Sequence, residues 1–188
     1  MKNTCLLVAG VLCFGAAQAQ EDPGESCGGI VELYQGGDID GALEEARWCV
    51  EALEQIKQGE VGEVFAGEVA GWKRDSLDQN EAMGIAVTEA RYTKGEQAIS
   101  VSLMGGAGGG GMGFFGGLAE MGMMSAGKKM RIDKHTAVAN SEGNTSTVTV
   151  TLDSGGALTF ESYDVDLDAV VEFAEAFPIA ELDEARGG

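Results

Sequence analysis

The chain has few of the residues on which most catalytic and nucleic-acid-binding sites depend. It contains one histidine, His135, and only 12 lysine and arginine residues against 31 aspartate and glutamate residues, for a formal net charge of −19. So negative a chain repels phosphate backbones and anionic lipid surfaces. We therefore expect no nucleic-acid partner, and a site built from two imidazoles of one chain is excluded.

Long apolar runs are also lacking. The run over residues 6–14 is much shorter than the roughly 20 residues that a membrane-spanning helix needs. It follows Lys2 and precedes Ala17-Gln18-Ala19, a small-residue pattern typical of signal-peptidase sites. We interpret residues 1–19 as a signal peptide, which predicts a periplasmic or secreted protein that begins at Gln20 and has no transmembrane span after cleavage.

Cysteine is scarce, and its positions are informative. Of the 4 cysteines, Cys5 and Cys13 lie in the predicted signal peptide, which leaves Cys27 and Cys49 in the mature chain. Exported proteins fold in oxidising compartments, where paired thiols form disulfides. We therefore predict a Cys27–Cys49 disulfide.

Residues 20–60 are predicted to form a helical hairpin. A helix over residues 27–35 is followed by Gly36-Gly37, and a second helix over residues 38–58 has an aspartate available as its N-cap. Apolar residues recur in the second helix at helical intervals, at Ile39, Ala42, Leu43, Ala46, Val50, Leu53 and Ile56. Folding the chain back at the two glycines places the predicted disulfide across the pair of helices.

Residues 61–188 are predicted to form an antiparallel sheet domain. Segments rich in β-branched and aromatic residues lie at 62–72, 82–92, 97–104, 128–133, 146–152 and 157–163. Hairpin turns are predicted at 93–96, 141–144 and 153–156. A capped amphipathic helix over residues 166–177 has an apolar stripe that needs a sheet face to cover. The predicted fold class is therefore α+β, with an antiparallel sheet covered by a C-terminal helix and a disulfide-bonded helical hairpin at the N-terminus.

A glycine- and methionine-rich excursion interrupts the predicted sheet at about residues 104–127. Long connections of this kind are frequently functional, and apolar side chains on them are adhesive where they are exposed. The predicted interaction surface consists of Met112, Phe114, Phe115, Leu118, Met121 and Met124. Its expected partner is an envelope protein or an apolar ligand.

Two other functional classes remain open from the sequence. The methionine cluster suits copper(I), which allows a copper-binding protein, although the same spacing describes a buried apolar stripe. A small periplasmic hydrolase or redox enzyme would need His135 and the glycine run at its centre. Asp153-Ser154-Gly155-Gly156 is similar to a serine-protease motif, but a hairpin turn explains these residues. We therefore expect a non-enzymatic binding module with no catalytic residues, no cofactor and no resident metal.

Two segments give the chain a resemblance to known proteins. They are "ARYTKGEQAISVSL", a tyrosine-containing strand pair with a glycine turn, and the ending "DVDLDAVVEFAEAFPIAELDEA". With the glycine- and methionine-rich excursion between them, residues 62–185 resemble small uncharacterised secreted or periplasmic α+β proteins. The resemblance implies a fold and no activity.

The predicted export leads to a direct test by mass spectrometry of the protein isolated from its source. The intact mass should match a chain that begins at Gln20 and lacks two thiol hydrogens, because the signal peptide is removed and Cys27 is bonded to Cys49. An uncleaved leader or two free thiols would contradict the prediction.

Overall fold

The computed structural model describes residues 23–82, 85–105 and 127–187. The chain divides into two compact units, Met1–Ala52 and Leu53–Gly188, and the boundary falls inside the second helix. The predicted signal peptide and the predicted interaction surface both lie outside the described residues. Among the residues that are described, no helix is long and apolar enough to cross a membrane.

The first unit contains helix α1 (Pro23–Gly36) and the beginning of helix α2 (Ile39–Val64). Gly37 has a φ of 83°, a conformation that costs glycine little. Here the Gly37 N–H donates to the Tyr34 carbonyl at 3.1 Å and the Asp38 N–H to the Leu33 carbonyl at 3.0 Å, which is a Schellman motif. The Asp38 carboxylate then accepts the Gly41 N–H at 3.0 Å, so one tight turn ends α1 and caps α2.

The predicted disulfide is confirmed. Cys27 and Cys49 are bonded, with their Cα atoms 4.8 Å apart and a sequence separation of 22. A closed loop of this size stabilises a fold by about 3 kcal/mol in the chain-entropy model. The covalent bond therefore supplements a pair of helices that buries few apolar side chains of its own.

Helix α2 is longer than predicted. The sequence indicated a helix that ends near Gln58 and a strand over residues 62–72, whereas α2 continues to Val64 and the strand β1 spans only Glu68–Val69. Val61 and Phe65 lie four residues apart and are both buried in the core of the second unit. That burial favours helical geometry because the i, i+4 spacing places both side chains on one face.

In the described part of the second unit, eight strands form one sheet in the order β1-β2-β3-β4-β8-β7-β6-β5. They are β1, β2 (Trp72–Ala82), β3 (Ile85–Lys94), β4 (Gln97–Gly105), β5 (Lys128–Ile132), β6 (His135–Glu142), β7 (Thr145–Thr151) and β8 (Ala157–Ser162). All neighbouring strands are antiparallel, as predicted. The sequence predicted only the first and last residues of β2 as strand, because the residues between them are largely polar, as its sequence WKRDSLDQNEA shows.

Two tight turns lie at predicted places, and a third, between β5 and β6, was not predicted. Gly95 has a φ of 67° between β3 and β4, and Gly143 has a φ of 60° between β6 and β7. The β5–β6 turn consists of Asp133 and Lys134, with φ of 47° and 70°. Positive φ at both central residues is the type I′ pattern, whose twist matches that of the flanking strands.

The predicted C-terminal helix covers the sheet. Helix α3 (Leu167–Ala176) is capped by Asp166, whose Oδ1 accepts the Ala169 N–H at 2.9 Å. Phe173 is only 1% exposed, and its ring contacts three aromatic rings of the sheet. The centroid distances from Phe173 are 5.1 Å to Tyr92, 5.9 Å to Phe160 and 6.0 Å to Trp72.

Tyr92 shows how this core accommodates a polar atom. Its hydroxyl donates to the Ala66 carbonyl at 3.0 Å, so the buried O–H has a partner. Burial raises the pKa of Tyr92 to about 12, despite the opposing effect of the Arg74 charge. The phenol is therefore neutral at physiological pH, and the core contains no buried charge at this position.

A second C-terminal helix, α4 (Ile179–Gly187), was not predicted. The sequence interpretation ended the last helix before Pro178, as is usual. Proline is also tolerated at the start of a helix, and Ile179 and Leu182 are buried in the core. Helix α4 carries Asp183, the central residue of the site described below.

Phe173 provides a test of the packing between α3 and the sheet. The F173A variant should lose about 3–5 kcal/mol of unfolding free energy, because it removes a buried ring and leaves a cavity. Urea unfolding monitored by circular dichroism measures the loss. The control is Y163A, at a residue that is 66% exposed, for which a change of less than about 0.5 kcal/mol is expected. Equal losses in the two variants would contradict the packing described here.

Candidate functional site

The Asp183 carboxylate joins α4 to two separate parts of the sheet. Its Oδ2 atom lies 2.9 Å from Nε2 of His135, the first residue of β6, and accepts the Asp153 N–H at 3.0 Å. Its Oδ1 atom accepts the Ser154 N–H at 2.9 Å. A carboxylate only accepts hydrogen bonds, so Nε2 of His135 carries the proton. We call this arrangement of Asp183, His135, Asp153 and Ser154 the carboxylate clasp.

The hydrogen bonds of the clasp determine the protonation of Asp183. Burial by itself would raise the pKa of this carboxyl, but hydrogen bonds from Ser154, His135 and Asp153 outweigh burial and lower the pKa below its ordinary value of 3.8. Hydrogen bonding to the charged form favours ionisation. Asp183 is therefore an anion at neutral pH.

His135 is enclosed by the protein. The residue is 8% exposed, and its Nδ1 atom is buried with no hydrogen-bond partner among the described residues. A general base must come within hydrogen-bond reach of its substrate. Because Nε2 is engaged by Asp183 and Nδ1 is covered, this geometry favours a structural role for the imidazole.

In the part of the chain that the structure describes, one group of three side chains has potential metal-ligand atoms close enough together to share an ion. The ligand atoms of His135, Asp153 and Asp183 lie within 4.8 Å of one another. Asp183 already accepts three N–H groups there, and an ion would have to replace the proton on Nε2. The clasp therefore accounts for these contacts without an ion.

The serine-protease-like motif forms a turn, as predicted. The Gly155 N–H donates to the Leu152 carbonyl at 3.2 Å, and both Gly155 and Gly156 have positive φ. A catalytic serine bonds to an imidazole nitrogen. Nε2 of His135 faces Asp183 and Nδ1 has no partner, so Ser154 and His135 do not form such a pair.

Two further contacts position α4. Asp133, in the β5–β6 turn, accepts the Ala180 N–H at 2.9 Å, which satisfies an orphan donor in the first turn of α4. The Arg186 guanidinium lies against the glycines at the β4–β8 edge, because a Cβ atom at Gly105 would be 2.5 Å from Nη2 of Arg186 and 3.0 Å from the Cα atom of Gly156. Both glycines therefore make room for the arginine. Burial lowers the pKa of Arg186, and the charge of Asp183 opposes that shift.

The first unit presents a different kind of feature, an exposed apolar surface. Six large apolar side chains within residues 23–52 are each more than half exposed: Val31, Tyr34, Ile39, Leu43, Trp48 and Val50. We call this set the hairpin surface. Single exposed apolar residues are normal, whereas exposed apolar residues that share one face of an element mark an interaction site.

Part of the hairpin surface is ordered along α2. Ile39, Leu43 and Val50 lie four and seven residues apart, which places them on one side of the helix. Each is followed by an exposed acid, and Asp40, Glu44 and Glu51 repeat the same spacing. The apolar stripe is therefore bordered on one flank by these three carboxylates and by the exposed Arg47, which lies between Glu44 and Glu51 on the same side of the helix.

The sequence predicted α2 as an amphipathic helix but not which of its apolar residues are exposed. The surface that it did predict, from Met112 to Met124, lies outside the described residues. The sequence has a group of basic residues at Lys128, Lys129, Arg131 and Lys134. Within β5, Lys129 and Arg131 are exposed, while Ile132 is buried. That alternation agrees with the solvated face of a strand.

Comparison of the chain with protein-family models, with curated proteins and with solved structures finds no match. The function is therefore argued from the geometry of this chain.

The carboxylate clasp predicts a specific pH dependence of stability. The folded-state pKa of Asp183 is lowered, so the ionised group stabilises the fold above the unfolded pKa of about 3.9, and this contribution is lost as the pH falls through the folded value. D183N should lose about 1–3 kcal/mol at neutral pH, because an amide donor replaces an acceptor opposite N–H groups. Urea unfolding of wild type and D183N at pH values from neutral to acidic measures both effects.

The matched control is D153N, since Asp183 accepts the main-chain N–H of Asp153 and the substitution keeps that donor while it neutralises an exposed carboxylate. Its stability should stay within about 0.5 kcal/mol of wild type. If D183N matched D153N at neutral pH, the clasp would have no stabilising role.

Proposed function

We propose that the protein is an exported, non-enzymatic binding module that docks another protein on its hairpin surface. The observation that carries the proposal is the exposure of six large apolar side chains within residues 23–52, where a disulfide joins the two helices. Covering such side chains removes apolar area from water, which releases about 25 cal/mol for each Å². A docked partner supplies that cover.

The contrast with the second unit supports this proposal. There, the largest apolar side chains pack in a core formed by the sheet and α3, and Tyr92, Phe160 and Phe173 are almost completely buried. The same chain thus encloses Tyr92, Phe160 and Phe173 in a core and exposes Tyr34 and Trp48 on the hairpin. Exposed aromatic side chains are the usual anchors of protein interfaces.

Export is supported by two independent features. A leader over residues 1–19 is typical of secretion, and a disulfide persists in oxidising compartments. The bond also suits a docking element, because a preorganised hairpin loses less conformational entropy on binding.

The enclosed histidine supports binding over catalysis. His135 is the one histidine of the chain, and both of its nitrogens are accounted for, one by Asp183 and one by burial. A hydrolase or redox enzyme centred on this residue would need it open to substrate.

Site-specific photo-crosslinking in cells of the native source tests the proposal. A photoreactive amino acid replaces Val50 on the hairpin surface, and in a second variant it replaces Asp78, an exposed residue of β2. We expect a discrete crosslinked protein at position 50 that is absent at position 78, because only the hairpin surface docks a partner. Mass spectrometry identifies the adduct.

An added L43S substitution is the matched control, since it removes one exposed side chain of the same stripe without opening a core. The adduct at position 50 should decrease strongly in that background. Identical adducts at positions 50 and 78, or none at position 50, would contradict the proposal.

A further inference from the structure

We infer that the partner of the hairpin surface presents a cationic amphipathic helix that lies along the apolar stripe of α2. This inference rests on the proposed function and adds the chemistry of the partner. The stripe of Ile39, Leu43 and Val50 extends over twelve residues, or about 17 Å of helix from first to last. A partner helix of at least three turns covers it.

The register of the acids specifies the charge of that partner. Asp40, Glu44 and Glu51 are exposed and each follows a stripe residue directly, so the carboxylates stand along one edge of the apolar surface. In paired helices, the residues that flank an apolar seam form interhelical ion pairs and select the partner. A helix with lysine or arginine along the corresponding edge meets this pattern.

The charges of the hairpin are mostly acidic. Residues 23–52 contain one basic residue, Arg47, and the acids Glu25, Glu32, Asp38, Asp40, Glu44, Glu45 and Glu51. A second copy of this chain would oppose carboxylates to carboxylates, and like charges across an interface are unfavourable. Anionic lipid surfaces are repelled for the same reason. A cationic polypeptide is the occupant that the charges favour.

Apolar and charged contacts play different parts in this binding. Burial of the stripe provides most of the affinity, whereas exposed charges steer the encounter and discriminate between partners. Binding should therefore require the stripe, prefer cationic helices and weaken as salt shortens the Debye length from about 10 Å near 0.1 M to about 3 Å at 1 M.

Three helical peptides test the inference with the purified, disulfide-bonded protein. All three have the same leucine stripe, and their polar faces carry lysine, glutamine or glutamate. Fluorescence anisotropy of the labelled peptides gives each Kd at low and high salt. The lysine peptide should bind at least about tenfold more tightly than the glutamine peptide, and the glutamate peptide most weakly.

Two variants separate the contributions, and circular dichroism verifies that each is folded. D40N/E44Q/E51Q keeps the stripe and removes the flank, so it should weaken the lysine peptide about tenfold and leave the glutamine peptide unchanged. L43S/V50S should abolish binding of both. D78N/E89Q/E142Q removes three exposed acids of the sheet and should have little effect.

Each alternative outcome has a definite meaning. Equal binding of the lysine and glutamine peptides, with loss in L43S/V50S, overturns the cationic partner and leaves the docking surface standing. If D40N/E44Q/E51Q and D78N/E89Q/E142Q weaken binding of the lysine peptide equally, the attraction is an unspecific effect of net charge, and the inference is also overturned. Binding of none of the peptides overturns it as well, while the crosslinking result decides separately on the docking function.

Discussion

The second unit depends on the pairing of β4 with β8. Residues 100–104 pair with residues 157–161, far apart in the chain, and this ladder joins β1–β4 and β5–β8 into one sheet. Val101 faces Phe160 and Leu103 faces Leu158 across the pair, and all four are buried. The entropy cost of closing so long a connection is offset by this apolar burial. Without the pairing, α3 would have no continuous surface to cover.

The C-terminal helix α4 is bonded to the sheet at the ends of its strands. The Asp183 carboxylate binds His135 at the start of β6 and the turn after β7, and Asp133 caps the same helix from the β5–β6 turn. Charge-assisted hydrogen bonds of this kind are stronger than neutral ones. The only histidine thus serves the fold, which explains how a chain with conspicuous serine, histidine and aspartate residues can lack an open catalytic arrangement in its described part.

The hairpin is stabilised in a different way. It buries little apolar area of its own, and a Schellman turn, an aspartate cap and a disulfide hold it together. Covalent and local stabilisation reduces the need for a large core, as in small disulfide-rich domains. Its apolar side chains remain exposed, and under our proposal a partner covers them while the acidic flank of α2 restricts which partner fits.

Local patterns in the sequence determined the fold class, the turns at Gly95 and Gly143, the cap at Asp166 and the Cys27–Cys49 bond, because each depends on residues whose spacing is visible along the chain. Tertiary contacts decided the rest. Helix α2 extends to Val64 because Val61 and Phe65 are buried in the core. The polar strand β2 forms because β3 pairs with it. Asp183 contacts His135 only when the sheet and α4 have assembled. The exposure of Leu43 and Val50 likewise belongs to the folded chain, since a helical pattern specifies a face and only packing decides whether that face is covered.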